Sequence, residues 1–315
     1  MTALISTPFG ADATAADVLT GVDLTGRRAV VTGGAAGLGL ETARALAAAG
    51  AQVTIAARRL DVARSAADDL AESTGNPHID ARSLDLADLQ SVADFVGGWS
   101  GPLHILVDNA GVMATPFQRT AQGHELQFGT NHLGHFALTV GLYGALAAAD
   151  GARVVVVSSV GHINGGIDFE DIDFHERHYD PWLAYAQSKT ANVLFAVEAA
   201  RRWAADHIAV NALNPGRIWG TGLSRYVDTP PESFDPSAAT GVSVKTVEQG
   251  AATSVLLAAS PLVDGVTGRY FEDCQEAESH QDGVRRGVAA YALDIEDARR
   301  LWDLSVGMTA RPVRS

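Results

Sequence analysis

The sequence has little of what several classes of protein require. It contains one cysteine, Cys274, in 315 residues, which excludes an internal disulfide and fits a reducing compartment. Basic residues are too few to balance the acidic ones, and the formal net charge is −14. Because nucleic-acid grooves and anionic membrane surfaces both select for basic patches, we expect neither as a partner.

Targeting and membrane signals are also missing. No basic residue precedes Arg27, which argues against a secretory signal peptide. The longest mostly apolar run, residues 136–149, is too short to cross a bilayer and is typical of a buried helix. We therefore expect a cytoplasmic protein with no membrane partner.

The pattern of the chain is that of one globular domain. No repeat, low-complexity tract or linker divides residues 1–315. We expect a weakly patterned extension over 1–25 and variable loops over 161–182 and 217–246. Strand patterns alternate with helical ones, and the strands are predicted over 28–32, 52–56, 79–84, 103–107, 153–157, 207–213 and 265–271. Such alternation predicts an α/β fold with a doubly wound parallel sheet between two helical layers.

A glycine-rich loop follows the first strand. Its spacing is Gly33-x3-Gly37-x-Gly39, and an alanine-rich amphipathic helix comes next. Glycines let the main chain approach a pyrophosphate, and the free amides at the helix N-terminus attract its charge. The context favours a phosphate site over the alternative, a purely structural turn.

The second strand ends in Ala57-Arg58-Arg59, where NAD-binding folds place an acidic residue for the ribose 2′-hydroxyl. A guanidinium in place of a carboxylate favours a 2′-phosphate, and therefore NADP(H) over NAD(H). The alternative is that Arg58 and Arg59 are solvated loop charges.

Tyr185 and Lys189 are four residues apart in a helical pattern that continues to Trp203. Side chains at this spacing share one face of a helix. An ammonium beside a phenol lowers the phenol's pKa, which is ordinarily about 10. Lowering that pKa to about 7 takes roughly 4 kcal/mol, which a lysine and a cationic nicotinamide together would supply. The pair suits acid–base work on an alcohol or carbonyl. An incidental Tyr and Lys on an exposed helix is the alternative.

Taken together, the motifs of residues 28–271 resemble those of the short-chain dehydrogenase/reductase family. The matching motifs stand in family order: Thr32-Gly33-x3-Gly37-x-Gly39, Asp85-Leu86, Asn109-Ala110-Gly111, Asn131, Ser159, Tyr185-x3-Lys189 and Pro215-Gly216. The resemblance implies a Rossmann fold. It is closer to the retinol-dehydrogenase-like and WW-domain-oxidoreductase-like branch, through residues 130–136, 188–195 and 270–274, although no WW domain precedes the fold.

The resemblance also implies roles for individual residues. Tyr185 is expected as the general acid or base and Lys189 as the group that lowers its pKa. Ser159 is expected to bind the substrate oxygen, and Asn131 to hold a water that leads to Lys189. The expected cofactor-binding residues are Gly33, Gly37, Leu38, Gly39, Arg58, Asp85, Leu86, Asn109, Ala110, Gly111, Tyr185, Lys189, Pro215, Gly216, Ile218 and Thr221.

Three other residues have simpler interpretations. His132 and His135 have a spacing that metal ligands use, but no Cys or carboxylate partners form a known pattern with them. We expect no metal, and both histidines to pack around Asn131. Asp108 stands where the family more often has Asn, and we expect the exchange to be tolerated.

The function expected is an NADP-dependent oxidoreductase that interconverts an alcohol with a ketone or aldehyde. Aromatic residues crowd the two variable loops and favour an apolar substrate of medium size: Phe169, Phe174, Tyr179, Trp182, Trp219 and Tyr226. Two alternatives stay open: a dinucleotide-binding sensor or scaffold without turnover, and an epimerase or dehydratase on the same fold. Relatives often pair through the helices that carry Asn131 and Tyr185, so a homodimer or homotetramer is expected.

Overall fold

A mostly parallel sheet forms the centre of the molecule. The computed structural model describes residues 3–218, 221–227 and 243–310. Within them the sheet has eight strands in the order β3-β2-β1-β4-β5-β6-β7-β8. The strands are β1 Arg28–Thr32, β2 Gln52–Ala57, β3 Ile79–Ser83, β4 Ile105–Asp108, β5 Arg153–Val157, β6 Ala209–Asn214, β7 Tyr270–Glu272 and β8 Gln275–Glu276. The first seven are parallel and β8 is antiparallel to β7, which confirms the doubly wound sheet.

Helices cover both faces of the sheet. They are α1 Ala15–Val18, α2 Gly37–Ala48, α3 Leu60–Thr74, α4 Leu89–Gly97, α5 Leu126–Phe128, α6 Gly134–Gly141, α7 Tyr143–Ala147, α8 Pro181–Arg202, α9 Val247–Ala259 and α10 Ile295–Thr309. Successive strand residues point to opposite faces, so Val31 packs with α2, α3 and α9, whereas Val30 packs with α4, α6 and α8. The result is the predicted three-layer α/β/α arrangement. In the part of the chain described, no helix is both long and apolar enough to cross a membrane.

The apolar run over 136–149, which predicted a buried helix, is not one continuous helix. A π-helical turn over Gly129–Leu133 joins α5 to α6, and the chain breaks again at Leu142 before α7. The wide turn contains Asn131, whose side chain bonds to the main chain of Val112 instead of facing solvent. Single π-helical turns are often found at functional sites, and here one sets the position of Asn131.

The last strands also differ from prediction. β7 begins at Tyr270 and not at residue 265, because Gly265 and Gly268 have positive φ angles that extended strands do not adopt. β8 was not predicted. Its connection to β7 places both Asp273 and Cys274 at positive φ, without the Gly or Asn that normally announces such a turn.

Of the two variable loops, 161–182 is described throughout, whereas much of 217–246 is not. Trp219, one of the aromatic residues noted in this second loop, lies outside the described residues. At the other end of the chain, the N-terminal extension pairs with β8, where Ile5 exchanges hydrogen bonds with Glu276.

Candidate active site

A cavity of about 360 Å³ opens at the carboxyl ends of β1, β4, β5 and β6. This is the edge at which open α/β sheets bind ligands. The cavity brings together most of the residues that the sequence indicates, although they come from distant parts of the chain. Those lining it are Gly33, Gly37, Leu38, Gly39, Asn109, Ala110, Gly111, Ser159, Tyr185, Lys189, Pro215, Gly216, Ile218 and Thr221.

The glycine loop forms one wall, and either its main-chain conformation or close neighbours disfavour a side chain at each of its glycines 33, 37 and 39. Gly33 and Gly37 have positive φ angles of 67° and 54°. A Cβ atom on Gly39 would lie 2.5 Å from both the carbonyl oxygen of Gly33 and Nδ2 of Asn109. Ala36, the N-cap of α2, has no side-chain hydrogen bond to the first turn. The first amides of α2 are therefore available to a pyrophosphate, and the loop fits a dinucleotide.

Thr32 holds this wall in register with β4. Its hydroxyl accepts hydrogen bonds from the main-chain N–H groups of Asn109 and Ala110, at 2.8 and 3.0 Å. Nδ1 of His135 lies 2.9 Å from the carbonyl oxygen of Asn131, so Nδ1 carries the ring proton and donates it to that oxygen. Nε2 of His135 is then an acceptor, and the Thr32 hydroxyl donates to it at 2.9 Å. Thr32 belongs to the glycine-loop motif, but its role in joining that loop to β4 was not predicted from the sequence.

The opposite wall belongs to α8. Asp180 caps this helix through the amides of Trp182 and Leu183, and Pro181 occupies its first position, which starts the helix one turn before Tyr185. Nζ of Lys189 donates to the carbonyl oxygen of Val157 at 3.0 Å. It lies 5.7 Å from the centre of the Tyr185 ring. The two side chains share a face of the helix, as the spacing predicted.

Ser159 is the third side chain at this end of the cavity, beside Tyr185 and Lys189. It follows β5, and its hydroxyl accepts the main-chain N–H of Gly161 at 3.0 Å while bonding to the phenol of Tyr185. Ser159, Tyr185 and Lys189 therefore meet at one end of the cavity.

The electrostatics of this group differ from the sequence-based expectation. Burial raises the pKa of Tyr185 to about 12, and the hydrogen bond from Ser159 only partly opposes the rise. Burial lowers the pKa of Lys189 to about 8. In the protein alone, the lysine does not bring the phenol toward neutral pH, because both groups are desolvated.

Asn131 lies behind the cavity wall and not on it. Its Oδ1 accepts the N–H of Val112 at 2.8 Å, and its Nδ2 donates to the carbonyl of Val112 and to Ser188, each at 2.9 Å. A Cβ atom on Gly111 would be 3.1 Å from Oδ1 of Asn131 and 3.8 Å from Nζ of Lys189. Asn131 therefore supports the wall beside Lys189, and its expected role with a water stays a prediction.

Three predicted cofactor residues, Arg58, Asp85 and Leu86, do not line this cavity. They nevertheless lie at the same edge of the sheet. The amide of Gly33 donates to the carbonyl of Ala56 at 2.8 Å, which joins the glycine loop to the strand that ends before Arg58. Arg58 is exposed, Leu86 is buried, and the Asp85 side chain accepts the amide of Ala87.

The aromatic residues of the loop over 161–182 do not form the cavity wall that we expected. Phe174 is buried and packs against Tyr179, and Trp182 alone approaches the site, with its ring 6.4 Å from that of Tyr185. The lining residues that sequence reasoning missed are Ala36, Met113, Val157, Ser158, Val160, Asn214, Arg217, Gly222, Leu223, Ser224, Arg225, Ser243, Glu272, Asp273 and Arg285. For Glu272 a signal existed, since it ends the last parallel strand.

Comparison with known proteins agrees with this geometry. Residues 27–231 match the family model described as short chain dehydrogenase. The chain belongs to the short-chain dehydrogenase/reductase family. It is 56% identical over 296 residues to a protein of Streptomyces antibioticus named "Probable oxidoreductase", covering 90% of this chain and 97% of that protein. It is 38% identical over 298 residues to human retinol dehydrogenase 13, covering 92% and 87%.

Solved structures show the same fold for this short-chain dehydrogenase/reductase. An uncharacterized protein from Mycobacterium Paratuberculosis superposes with a TM-score of 0.73 at 35% identity, over 95% of this chain and 97% of that one. The NADP active-site complex of Pseudomonas aeruginosa RhlG superposes with a TM-score of 0.63 at 26% identity, over 79% and 95%. The chain is thus a nicotinamide-dependent oxidoreductase of the retinol-dehydrogenase-like branch, as its motifs indicated.

Proposed function

We propose that this protein is an NADP-preferring oxidoreductase that interconverts an alcohol with a ketone or aldehyde. The observation that carries the proposal is the meeting of Ser159, Tyr185 and Lys189 at one end of a cavity whose other wall is a dinucleotide cradle. A protein that only bound the dinucleotide would need the cradle but not a buried phenol beside a serine hydroxyl.

The cradle residues would hold the cofactor along the carboxyl edge of the sheet. The amides of the first turn of α2 would bind the pyrophosphate, and Asn109 and Gly111 would form the wall beside it. Ile218 and Thr221, which line the same cavity, would contact the nicotinamide. When bound, the cofactor supplies or accepts a hydride.

The protein contributes placement and a proton. In reduction, Tyr185 gives its phenolic proton to the carbonyl oxygen, and in oxidation it takes the proton of the alcohol. Ser159 holds the same oxygen through a hydrogen bond, which restricts the substrate to one orientation. Lys189 would hydrogen-bond the nicotinamide ribose and add positive charge beside Tyr185.

The preference for NADP rests on Arg58. It is the first residue after β2, it is exposed, and it carries the charge that a 2′-phosphate would neutralise. The relative RhlG is described with NADP in its active site. A charge-assisted hydrogen bond contributes about 1.5–3 kcal/mol, so its loss lowers NADPH affinity about 10- to 100-fold.

An apolar substrate of medium size suits the cavity. Met113, Val160 and Leu223 line it, and Trp182 stands beside Tyr185. Several relatives are named retinol dehydrogenases, and these names give retinol as their substrate. We place the enzyme in the cytoplasm on its single cysteine and acidic charge, and as a homodimer or homotetramer by analogy with its family.

The test is a titration of the protein with NADPH and with NADH, followed by quenching of tryptophan fluorescence, for the wild type, Arg58→Ala and the matched control Arg59→Ala. We expect tight NADPH binding that weakens only in Arg58→Ala, with NADH binding unchanged in all three. NADH binding equal to NADPH binding and unaffected by the variant would refute the 2′-phosphate argument.

Turnover is tested separately. Oxidation of NADPH is followed with a panel of carbonyl compounds that includes all-trans-retinal, for the wild type and Tyr185→Phe. We expect turnover by the wild type and its loss in Tyr185→Phe, with NADPH affinity retained. Binding without turnover of any compound would favour the sensor or scaffold.

A further inference from the structure

A buried histidine that the proposed reaction does not use follows Ser159 by three residues. The side chain of His162 is fully buried, and both of its ring nitrogens have polar neighbours. Nδ1 lies 2.7 Å from the main-chain carbonyl oxygen of Ser159. Nε2 lies 3.1 Å from the main-chain nitrogen of Ala289, in the segment between β8 and α10.

These neighbours determine the tautomer of His162. A main-chain N–H only donates, so Nε2 accepts from Ala289 and carries no proton. The proton of the neutral ring is therefore on Nδ1, from which it donates to the carbonyl oxygen of Ser159. Burial lowers the pKa of His162 to about 4, and the nearby titratable groups are the Tyr270 phenol, 3.3 Å from Nδ1, and His280. The ring is thus a constant donor above about pH 5.

The turn that His162 holds is tight and touches the catalytic tyrosine. The Ser159 carbonyl also accepts the amide of His162 at 3.1 Å, and the Ser159 hydroxyl accepts the amide of Gly161 at 3.0 Å. A Cβ atom on Gly161 would lie 3.0 Å from Cε1 of Tyr185. Any movement of this turn therefore changes the distance between the Ser159 hydroxyl and the Tyr185 phenol.

His162 is also attached through its main chain. Its carbonyl oxygen accepts hydrogen bonds from the hydroxyl of Thr190, next to Lys189 on α8, at 3.1 Å, and from the phenol of Tyr291 at 2.7 Å. The residue thereby joins three parts of the fold: the end of β5, the helix that carries the catalytic tyrosine, and the segment that leads to α10.

We propose that His162 is a positioning residue for Ser159, and that the amide of Ala289 sets its tautomer so that Nδ1 donates to the serine carbonyl. The inference rests on the proposed function, because it concerns the serine of that reaction. Loss of the Nδ1 donor releases the turn and separates the Ser159 hydroxyl from Tyr185. The phenol then loses the hydrogen bond that opposes the rise of its pKa.

Two amide variants separate the roles of the two ring nitrogens. In His162→Asn the side-chain NH₂ takes the place of Nδ1–H and still donates to Ser159, whereas the acceptor for Ala289 is lost. In His162→Gln the longer side chain reaches Ala289 as an acceptor but has no donor at the Nδ1 position. Tyr291→Phe is the control, because it removes one hydrogen bond to His162 without touching the imidazole.

The anchoring itself is measured without cofactor, by hydrogen exchange of the amides over residues 159–165. We expect exchange to be about tenfold faster in His162→Gln than in the wild type, and close to wild type in His162→Asn. Equal exchange in all variants would overturn the proposal, and so would faster exchange in His162→Asn alone.

The consequence for catalysis is measured in the NADP⁺ complex. Phenolate absorbance is titrated against pH for each protein and for the same protein carrying Tyr185→Phe, so that the difference belongs to Tyr185. We expect the midpoint to rise by about one pH unit in His162→Gln and by much less in His162→Asn and Tyr291→Phe. Faster exchange with an unchanged midpoint would refute the positioning of Ser159. Failure of the proposed function is separate, since it appears as an absence of NADPH binding, or of carbonyl turnover, by the wild type.

Discussion

Asp108 provides a prediction about stability that follows from burial alone. It ends β4 with no exposed surface, and one carboxyl oxygen accepts the hydroxyl of Thr139 at 2.7 Å. The other oxygen has no hydrogen-bond partner among the described residues. Burial raises the pKa of Asp108 to about 8, so the folded protein keeps this acid protonated at neutral pH. Asn is the residue of similar size that does not titrate, so Asp108→Asn tests this protonation.

The direction in which the free energy of unfolding changes with pH follows from the difference between the folded and unfolded pKa of Asp108. The folded-state pKa of Asp108 is above the unfolded value, so the contribution of Asp108 to stability is fully present below about pH 4 and is lost as pH rises toward 8. One pKa unit corresponds to about 1.4 kcal/mol, so about 3 kcal/mol is lost between about pH 5.5 and 8. Asn does not titrate and loses nothing over this interval, although its amide leaves a buried donor unpaired at a cost of about 1–3 kcal/mol.

The assay is urea unfolding of the wild type and Asp108→Asn at intervals from about pH 5.5 to 8. We expect the free energy of unfolding of the variant, relative to the wild type, to rise by about 3 kcal/mol across this range. The exposed helical residue Asp68 provides a control, since Asp68→Asn should show no such slope. A difference between Asp108→Asn and the wild type that is independent of pH would show that Asp108 does not titrate as argued.

Three further outcomes are expected. Gly39→Ala should lower NADPH affinity at least about tenfold in a fluorescence titration, because its Cβ overlaps the cradle, whereas Gly144→Ala, whose Cβ meets open space, should not. Tyr179→Phe should lower the urea-derived stability by about 1–3 kcal/mol, since the phenol bonds to three buried polar groups. The hydrogen bond that His124 donates to the Asp173 carboxylate raises the pKa of His124, so the stability that His124→Asn removes should be largest below about pH 6.5 and disappear as pH rises.

The sequence predicted the parts of the fold that depend on local pattern. β1, β2 and β5 lie within one residue of the predicted bounds, because each is a buried apolar run that ends at a glycine, an arginine or a serine. The elements that were missed depend on contacts between distant residues. The π-helical turn around Asn131 requires the main chain of Val112, which is 19 residues away, and no local pattern indicates it.

The cavity contains most of the residues expected at the site, whereas its shape was predicted less well. Tyr185, Lys189 and the glycines lie where their spacing and the carboxyl-edge rule place them. The substrate side was predicted less well, since Phe174 and Tyr179 pack on each other and not around the cavity. Aromatic composition indicates that a loop buries apolar surface, but it does not distinguish a loop that surrounds a ligand from one that packs on itself.

The spacing of Tyr185 and Lys189 along the helix does not predict their protonation states. Distance along a helix predicts that Lys189 lies near Tyr185, and it does. Whether the lysine lowers the pKa of the phenol depends on how much water both groups have lost, which is a property of the whole fold. Burial raises the pKa of Tyr185 to about 12 and lowers that of Lys189 to about 8. At neutral pH in the protein alone, the phenol of Tyr185 is therefore neutral, and the ammonium of Lys189 gives up its proton more easily than usual. That state is ready to donate a proton to a carbonyl. Under the proposed function, we expect Tyr185 to act as a base on an alcohol only when the bound oxidised cofactor adds positive charge to the cavity.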